Sequence, residues 1–202
     1  MDTPEMDTKE STTNSRKVEI KLSDHGVYFL NDSITNDSVG PLINYIIEAN
    51  LDPKCNWDNI TLIINSGGGG VQDGFALIDT IFGSRIPVRT VGLGLIASMG
   101  LGIFLAGEKG HRVLTPNTMV MSHQYSWGDI GKEHELVAGQ KKYKMASDQI
   151  LRHYIRTTGL SEKKIRKKLL PPEDVWLTAH EAKDLGICDT IKDVQPHHLK
   201  KE

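Results

Sequence analysis

Two apolar segments, each followed by a glycine-rich stretch and a helical pattern, constrain the fold of this chain most. Residues 60–64 form a continuous β-branched and aliphatic run, which is typical of a buried parallel strand. Four glycines then lead into an apolar helical pattern at 71–82. The same order returns as a buried strand at 88–93 and a buried helix at 98–106. This alternation predicts an α/β fold with a mostly parallel sheet and right-handed crossovers.

The remaining segments complete the prediction. We expect further strands at 18–22, 27–30, 112–114, 118–122 and 187–191. Helices are predicted at 37–50, as one long pattern at 131–158, from Ser161 to before Pro171, and at 179–186. The long helix exceeds what one domain needs to close itself, so we expect an arm that packs against another subunit. We expect a single domain at 17–193, with a disordered polar leader at 1–16 and a flexible tail at 194–202.

Composition excludes several classes of function. The formal net charge of −2 gives no strong basic field for nucleic acid or anionic membrane. Two cysteines are too few for a disulfide framework or a metal cluster and fit a reducing compartment. Residues 91–107 are at the short limit of a membrane span, but their five glycines favour a strand feeding a buried helix. We therefore expect a cytoplasmic protein, or one of an organelle matrix or host cytoplasm if it is organelle- or virus-encoded.

Two glycine-rich segments have ambiguous meaning on their own. The segment 65–70, NSGGGG, leaves backbone N–H groups free to point at an anion or a carbonyl, although a tight strand-to-helix turn explains it equally well. No Gly-Lys-Ser/Thr follows, so it is not a Walker A loop. The segment 92–97 fits the pattern GxGxxA of dinucleotide sites, but it lacks a suitably placed ribose-binding acid, so we attribute its glycines to close packing.

Three polar residues could together perform acyl transfer. Ser98 begins a buried helix, His123 ends a predicted strand, and Asp174 lies in a loop. Taken singly, they could be a helix cap, a structural histidine and a solvated acid. Taken together, they supply a nucleophile, a base and the carboxylate that orients the base. The glycine loop and the residue after the serine could donate N–H groups to an oxyanion.

The stretch 65–191 resembles the ClpP family, the proteolytic subunits of Clp proteases. The similar blocks are INSGGGG, ASMG, MSHQ and EDVWLTAHEAKDLGICD, in the same order and without large gaps, and 26–35 (GVYFLNDSIT) resembles the family's first core strand. The resemblance implies a ClpP/crotonase-like fold with long handle helices. It also implies a serine endopeptidase with Ser98 as nucleophile, His123 as base and Asp174 as triad acid.

The same resemblance implies further roles. Gly68 and Met99 would donate the two oxyanion N–H groups. A substrate would bind as an added strand between two segments, one comprising Gly69, Gly70 and Val71, and the other Gln124, Tyr125, Ser126 and Trp127. The implied assembly is two stacked heptameric rings served by a separate Clp-family ATPase unfoldase, since no ATP motif is present. Polypeptides would be the substrates. No cofactor, metal, nucleic acid or membrane is expected.

Departures from the family pattern define what is specific to this chain. Gly67 and Tyr125 stand where the family usually has proline, which predicts a more mobile glycine loop and an altered substrate strand. Glu173 stands where the family commonly has an arginine that helps rings dock. The leader does not resemble the family's axial loop segment.

Three other functions stay open at this point. The chain could be a catalytically silent subunit of a mixed Clp ring, although all three triad residues are present. It could be a crotonase-like acyl-CoA enzyme, which would explain the glycines but give the three polar residues no joint role. A membrane serine/lysine signal-peptide peptidase is disfavoured by the missing membrane segment.

Overall fold

The computed structural model describes residues 21–192, which form one seven-stranded sheet with helices packed against it. The strands are β1 Val27–Leu30, β2 Ile60–Ser66, β3 Val88–Ala97, β4 Arg112–Leu114, β5 Met119–Ser122, β6 Val175–Thr178 and β7 Thr190–Ile191. The helices are α1 Asn36–Leu51, α2 Val71–Gly83, α3 Met99–Leu105, α4 Glu133–Thr158, α5 Glu162–Lys168 and α6 Ala179–Asp184. A short 3₁₀ helix, Leu22–His25, precedes β1.

The sheet is mostly parallel, which confirms the predicted fold class. Five strands follow the order β1-β2-β3-β4-β7 with parallel pairing throughout. The long strand β3 pairs with β4 through its first half and with β5 through its last three residues. Only β5 and β6 pair antiparallel among the described strands. This split along β3 brings the carboxyl ends of β2, β3 and β5 close together.

Strand β2 is buried on one face rather than on both. Its side chains alternate, with Ile60, Leu62 and Ile64 at 0 % exposure, whereas Thr61 and Ile63 are half-exposed. Helix α3 packs against β2 and β3, α2 packs against α1 and α3, and α4 contacts α3. The sequence run suggested two buried faces, and one of them is left only partly covered by this chain.

Local end signals place most helices as predicted. The Thr35 hydroxyl accepts from the Ser38 N–H and begins α1, and Ser161 does the same for α5 through the Lys164 N–H. Thr178 forms a capping box with Glu181 at the start of α6. These bonds satisfy backbone donors that have no partner within the helix.

The long helix α4 divides into an exposed half and a packed half. Its buried residues begin at Ala146 and continue through Ile150 and Tyr154 toward the C-terminus. In its first half, Leu136 and Val137 are 38 % and 62 % exposed. The first three turns therefore extend beyond the core of this chain.

A buried ion pair joins β4 to the residue just before β7. Arg112 is 2 % exposed, and its guanidinium donates to both carboxylate oxygens of Asp189 at 3.0 and 2.8 Å. It also donates to the Thr157 carbonyl at the end of α4. Burial by itself raises the pKa of Asp189, but the bonds and charge of Arg112 outweigh it, so the pKa lies below its usual value.

Three sequence expectations need correction. Leu22 begins a 3₁₀ turn rather than ending a strand, and 18–20 lie outside the described residues. The predicted strand 187–191 is reduced to Thr190–Ile191, because the Ile187 N–H still donates to Ala182 in the turn that ends α6. Strand β6 was missed, since it forms by pairing with the distant strand β5.

The predicted leader at 1–16 and tail at 194–202 also lie outside the described residues. Within 21–192, no helix combines the length and apolar character that a membrane crossing requires.

Candidate active site

Ser98 lies in a sharp turn between β3 and α3. Its backbone angles are φ 52° and ψ −120°, and it is the only non-glycine residue between 21 and 192 with positive φ. Such a conformation costs about 1–3 kcal/mol and persists only where surrounding contacts impose it. Here the Ser98 N–H donates to the Met121 carbonyl, and the Ser98 carbonyl accepts from the Gly102 N–H. The hydroxyl makes no capping bond to α3, so the interpretation of Ser98 as a simple helix cap is wrong.

Strand pairing brings His123 beside Ser98. The parallel register of β3 and β5 pairs Ala97 with Met121, so the residues just after both strands lie at the same edge of the sheet. His123 Nε2 is 2.8 Å from Ser98 Oγ, a hydrogen-bonding distance. In the tautomer that leaves Nε2 unprotonated, the serine hydroxyl donates to the imidazole. The serine is then placed for proton transfer to the histidine.

Asp174 reaches the same site through the antiparallel pair of β5 and β6. Ser122 pairs with Val175. Because the strands are antiparallel, one step forward from Ser122 and one step back from Val175 sets His123 opposite Asp174. Asp174 Oδ1 is 3.7 Å from His123 Nδ1, which is close for two charges but too long for a hydrogen bond. The Asp174 side chain is 58 % exposed, whereas that of His123 is 21 % exposed. The structure thus brings the three predicted residues together, but His123 and Asp174 do not form a hydrogen bond.

The glycine loop lies against the serine at very short range. Gly68 has φ 95°, and a Cβ at this position would lie 2.6 Å from Ser98 Cβ and 3.0 Å from the Met99 nitrogen. The Met99 N–H has no acceptor among the described residues, because it is the first residue of α3. The Gly68 N–H donates to Ser66 Oγ at 3.2 Å. One predicted oxyanion donor is therefore free, and the other has a weak internal partner.

Gly69 presents an open strand edge next to these groups. Ile34 pairs in parallel with Gly69, donating to the Gly68 carbonyl and accepting from the Gly70 N–H. In a parallel ladder the N–H and C=O of Gly69 then point to the opposite side, where they have no hydrogen-bond partner among the described residues. Of the three residues predicted in this substrate-binding segment, only Gly69 has both its N–H and its C=O free to pair with an added strand. Gly70 bonds Ile34, and Val71 begins α2.

The second predicted substrate segment is irregular. Gln124, Tyr125, Ser126 and Trp127 follow β5 without regular secondary structure. The Gln124 amide donates to the Leu170 carbonyl, which ties the start of the segment to the chain after α5. The rings of Tyr125 and Trp127 are 5.6 Å apart, and Trp127 packs against Tyr143 of α4 at 4.5 Å.

Two positioning residues were not identified from the sequence. Ser66 is 3 % exposed, accepts from the Gly68 N–H and donates to the Asp32 carbonyl at 2.6 Å, so it orients the glycine loop. Ile34 occupies one edge of that loop. Ser66 lies inside the NSGGGG motif, so the signal was present, but nothing in the sequence distinguishes Ile34 from any other buried isoleucine.

No group of three or more metal-binding side chains occurs between residues 21 and 192. Three surface cavities of about 260 to 320 Å³ lie elsewhere, and none of the three is lined by Ser98 or His123. The groups at this site that can take part in chemistry are the serine, the histidine, the carboxylate and the backbone N–H groups.

Comparison with known proteins identifies the family of this chain. A model of the Clp protease family matches residues 10–195. The chain is 34 % identical over 176 residues to the ATP-dependent Clp protease proteolytic subunit 1 of Chlamydia abortus, covering 86 % of this chain and 90 % of that protein. Its structure resembles a point mutant of ClpP1 from Listeria monocytogenes, with a TM-score of 0.75 and 30 % identity, covering 86 % of this chain and 95 % of the other. The chain belongs to the Clp protease family and is a serine peptidase.

Proposed function

We propose that this chain is an endopeptidase subunit that hydrolyses unfolded polypeptides and short peptides through Ser98, His123 and Asp174. The observation that carries the proposal is the 2.8 Å contact between Ser98 Oγ and His123 Nε2, made by a serine held at positive φ. A strained backbone that aims a hydroxyl at an imidazole is costly to maintain, and such strain gathers at functional sites.

The reaction begins when a substrate carbonyl carbon meets Ser98 Oγ. His123 Nε2 takes the hydroxyl proton as the oxygen attacks, and the tetrahedral oxyanion accepts hydrogen bonds from Met99 and Gly68. The imidazolium then gives its proton to the leaving amine, which departs and leaves an acyl ester on Ser98. Water, activated by the same imidazole, hydrolyses the ester and restores the serine.

Two contacts must change for full activity. The gap of 3.7 Å between His123 Nδ1 and Asp174 Oδ1 must shorten to about 2.8–2.9 Å for a charge-assisted hydrogen bond. The Gly68 N–H must exchange its bond with Ser66 for one with the substrate oxyanion. The Asp174 side chain is 58 % exposed, so it has room to move toward the histidine.

These same two contacts favour a second candidate function. A silent subunit of a mixed ring would retain the serine–histidine pair without ever closing the aspartate contact. In that case the chain would contribute its surfaces to the assembly and leave cleavage to its partners.

Covalent labelling separates the two functions. The intact protein is treated with a fluorophosphonate, which reacts with activated serines, and its mass is measured beside that of Ser98→Ala. We expect one adduct on the wild type and none on the variant. A folded wild-type protein that stays unlabelled, alone and with a Clp-type ATPase present, would rule out the peptidase and favour the silent subunit.

We propose further that copies of this chain assemble into rings, heptameric and stacked in pairs, and that a separate Clp-family ATPase supplies unfolded substrate. The Chlamydia relative is named as a subunit of an ATP-dependent protease, which supports an ATPase partner for this chain. The exposed apolar side chains Leu136, Val137 and Met145 of α4 support a contact with other copies. Sedimentation should give a mass of about fourteen chains, and a monomer at micromolar concentration would contradict the assembly.

A further inference from the structure

Tyr125 points inward toward the nucleophile's helix. It stands two residues after His123, and its hydroxyl contacts Met99 Sδ at 4.0 Å. The ring is half-buried and packs against the hydrophobic core. Burial raises the pKa of the Tyr125 phenol well above its usual value, and the neighbouring Tyr154 acts in the same direction. The phenol thus fills space between α3 and α4.

The same space is where a substrate side chain must go. In the proposed reaction the attacked carbonyl carbon lies at Ser98 Oγ, and its oxygen faces the Met99 N–H. The side chain of the acyl-side residue, which contributes that carbonyl, branches only one bond away, about 1.5 Å from the carbonyl carbon. In the proposed pose, that side chain faces the protein and lies against the Met99 and Tyr125 side chains.

Neither the Met99 side chain nor the Tyr125 side chain can move easily out of this space. Met99 is 1 % exposed, and its side chain is in close contact with Gly74, where a Cβ would lie 2.5 Å from two of its atoms. Tyr125 is backed by Trp127, with ring centres 5.6 Å apart, and Trp127 by Tyr143 at 4.5 Å. Tyr143 belongs to α4, so the helix holds the last ring of this row in place.

We propose that Tyr125 limits the acyl-side residue of the substrate to small side chains, such as glycine, alanine and serine. The proposal rests on the proposed peptidase function and adds a substrate class to it. A large apolar side chain would have to displace the phenol from its contact with Met99 and disturb the row of rings behind it. A difference of one methylene group at such a wall changes kcat/KM by about 10- to 200-fold.

The test uses two fluorogenic peptides that differ only in the acyl-side residue, alanine in one and leucine in the other. The ratio of their kcat/KM values is measured for the wild type, Tyr125→Ala, Tyr125→Phe and Tyr143→Phe. We expect the wild type to favour alanine at least tenfold. Tyr125→Ala should lower that ratio at least tenfold, and Tyr125→Phe, which keeps the ring, should retain it. Tyr143→Phe leaves the Tyr125 ring in place and serves as the control.

Each outcome decides the proposal. A wild type that favours leucine, or a Tyr125→Ala variant with an unchanged ratio, would overturn it. A purely structural role of Tyr125 would lower both rates equally and leave the ratio unchanged. Failure of the wild type to cleave either peptide or to react with the fluorophosphonate would instead reject the peptidase itself, and the size limit with it.

Discussion

Gly67 and Gly68 allow a direct test of the oxyanion site, because a Cβ would be unhindered at Gly67 and would clash with the catalytic turn at Gly68. A Cβ at Gly68 would lie 2.6 Å from Ser98 Cβ, 2.9 Å from the Ala97 carbonyl oxygen and 3.0 Å from the Met99 nitrogen. At Gly67 a Cβ would meet nothing within 4 Å, and its φ is not positive. One added methyl group therefore crowds the catalytic turn at one position and reaches solvent at the next.

The expected size of the effect follows from these contacts. Placing alanine at φ 95° costs about 1–3 kcal/mol in backbone strain. The clashing atoms belong to backbone and to the nucleophile, so relief requires the loop to move away from Ser98. That movement takes the Gly68 N–H away from the oxyanion, and loss of one such donor lowers kcat by about 10²- to 10³-fold. We expect this loss for Gly68→Ala and less than a threefold change for Gly67→Ala.

Steady-state cleavage of a fluorogenic peptide gives kcat for the wild type and both variants at equal subunit concentration. Sedimentation of each sample shows that the assembly state is unchanged. If Gly68→Ala keeps wild-type kcat, the close approach of this glycine to Ser98 has no catalytic role. If both variants lose activity equally, loop stiffness rather than the position of the N–H is responsible.

Three further predictions concern the triad carboxylate and two buried groups. Asp174→Asn should lower kcat by orders of magnitude, because an amide favours the wrong tautomer of His123, and a loss below tenfold would argue against a triad. Asp189→Asn leaves the Arg112 guanidinium buried without a counter-charge, which should cost about 3–5 kcal/mol of unfolding free energy in urea titrations; a cost under 1 kcal/mol would contradict this. Burial lowers the pKa of His153 to about 4 from 6.5, so the unfolded chain binds more protons between these values, and stability should fall by about 2 kcal/mol from pH 8 to pH 5. The variant His153→Gln should lack this loss of stability between pH 8 and pH 5. The same pH dependence of unfolding free energy in both proteins would refute the prediction.

Much of the fold follows from local pattern. The apolar run 60–64 became most of β2, and the run 88–93 became the first part of β3, which continues to Ala97. Helices begin after Ser161 and Thr178, where the sequence placed them. These features depend on neighbours within a few residues, so a linear pattern records them. Strand β6 was not predicted, because the strand with which it pairs, β5, lies more than fifty positions earlier in the chain.

The sequence by itself determined the chemical parts of this protein: a serine before a buried helix, a histidine after a strand, a loop carboxylate and a glycine turn. Only the tertiary structure decided how these parts meet. The positive φ of Ser98, the 2.8 Å contact with His123 and the 3.7 Å separation of His123 and Asp174 depend on the registers of three strands. The free edge of Gly69 and the inward direction of Tyr125 likewise depend on which distant residues occupy the adjacent space. Distances of this kind are set by packing between segments far apart in the chain, and local residue patterns do not encode them.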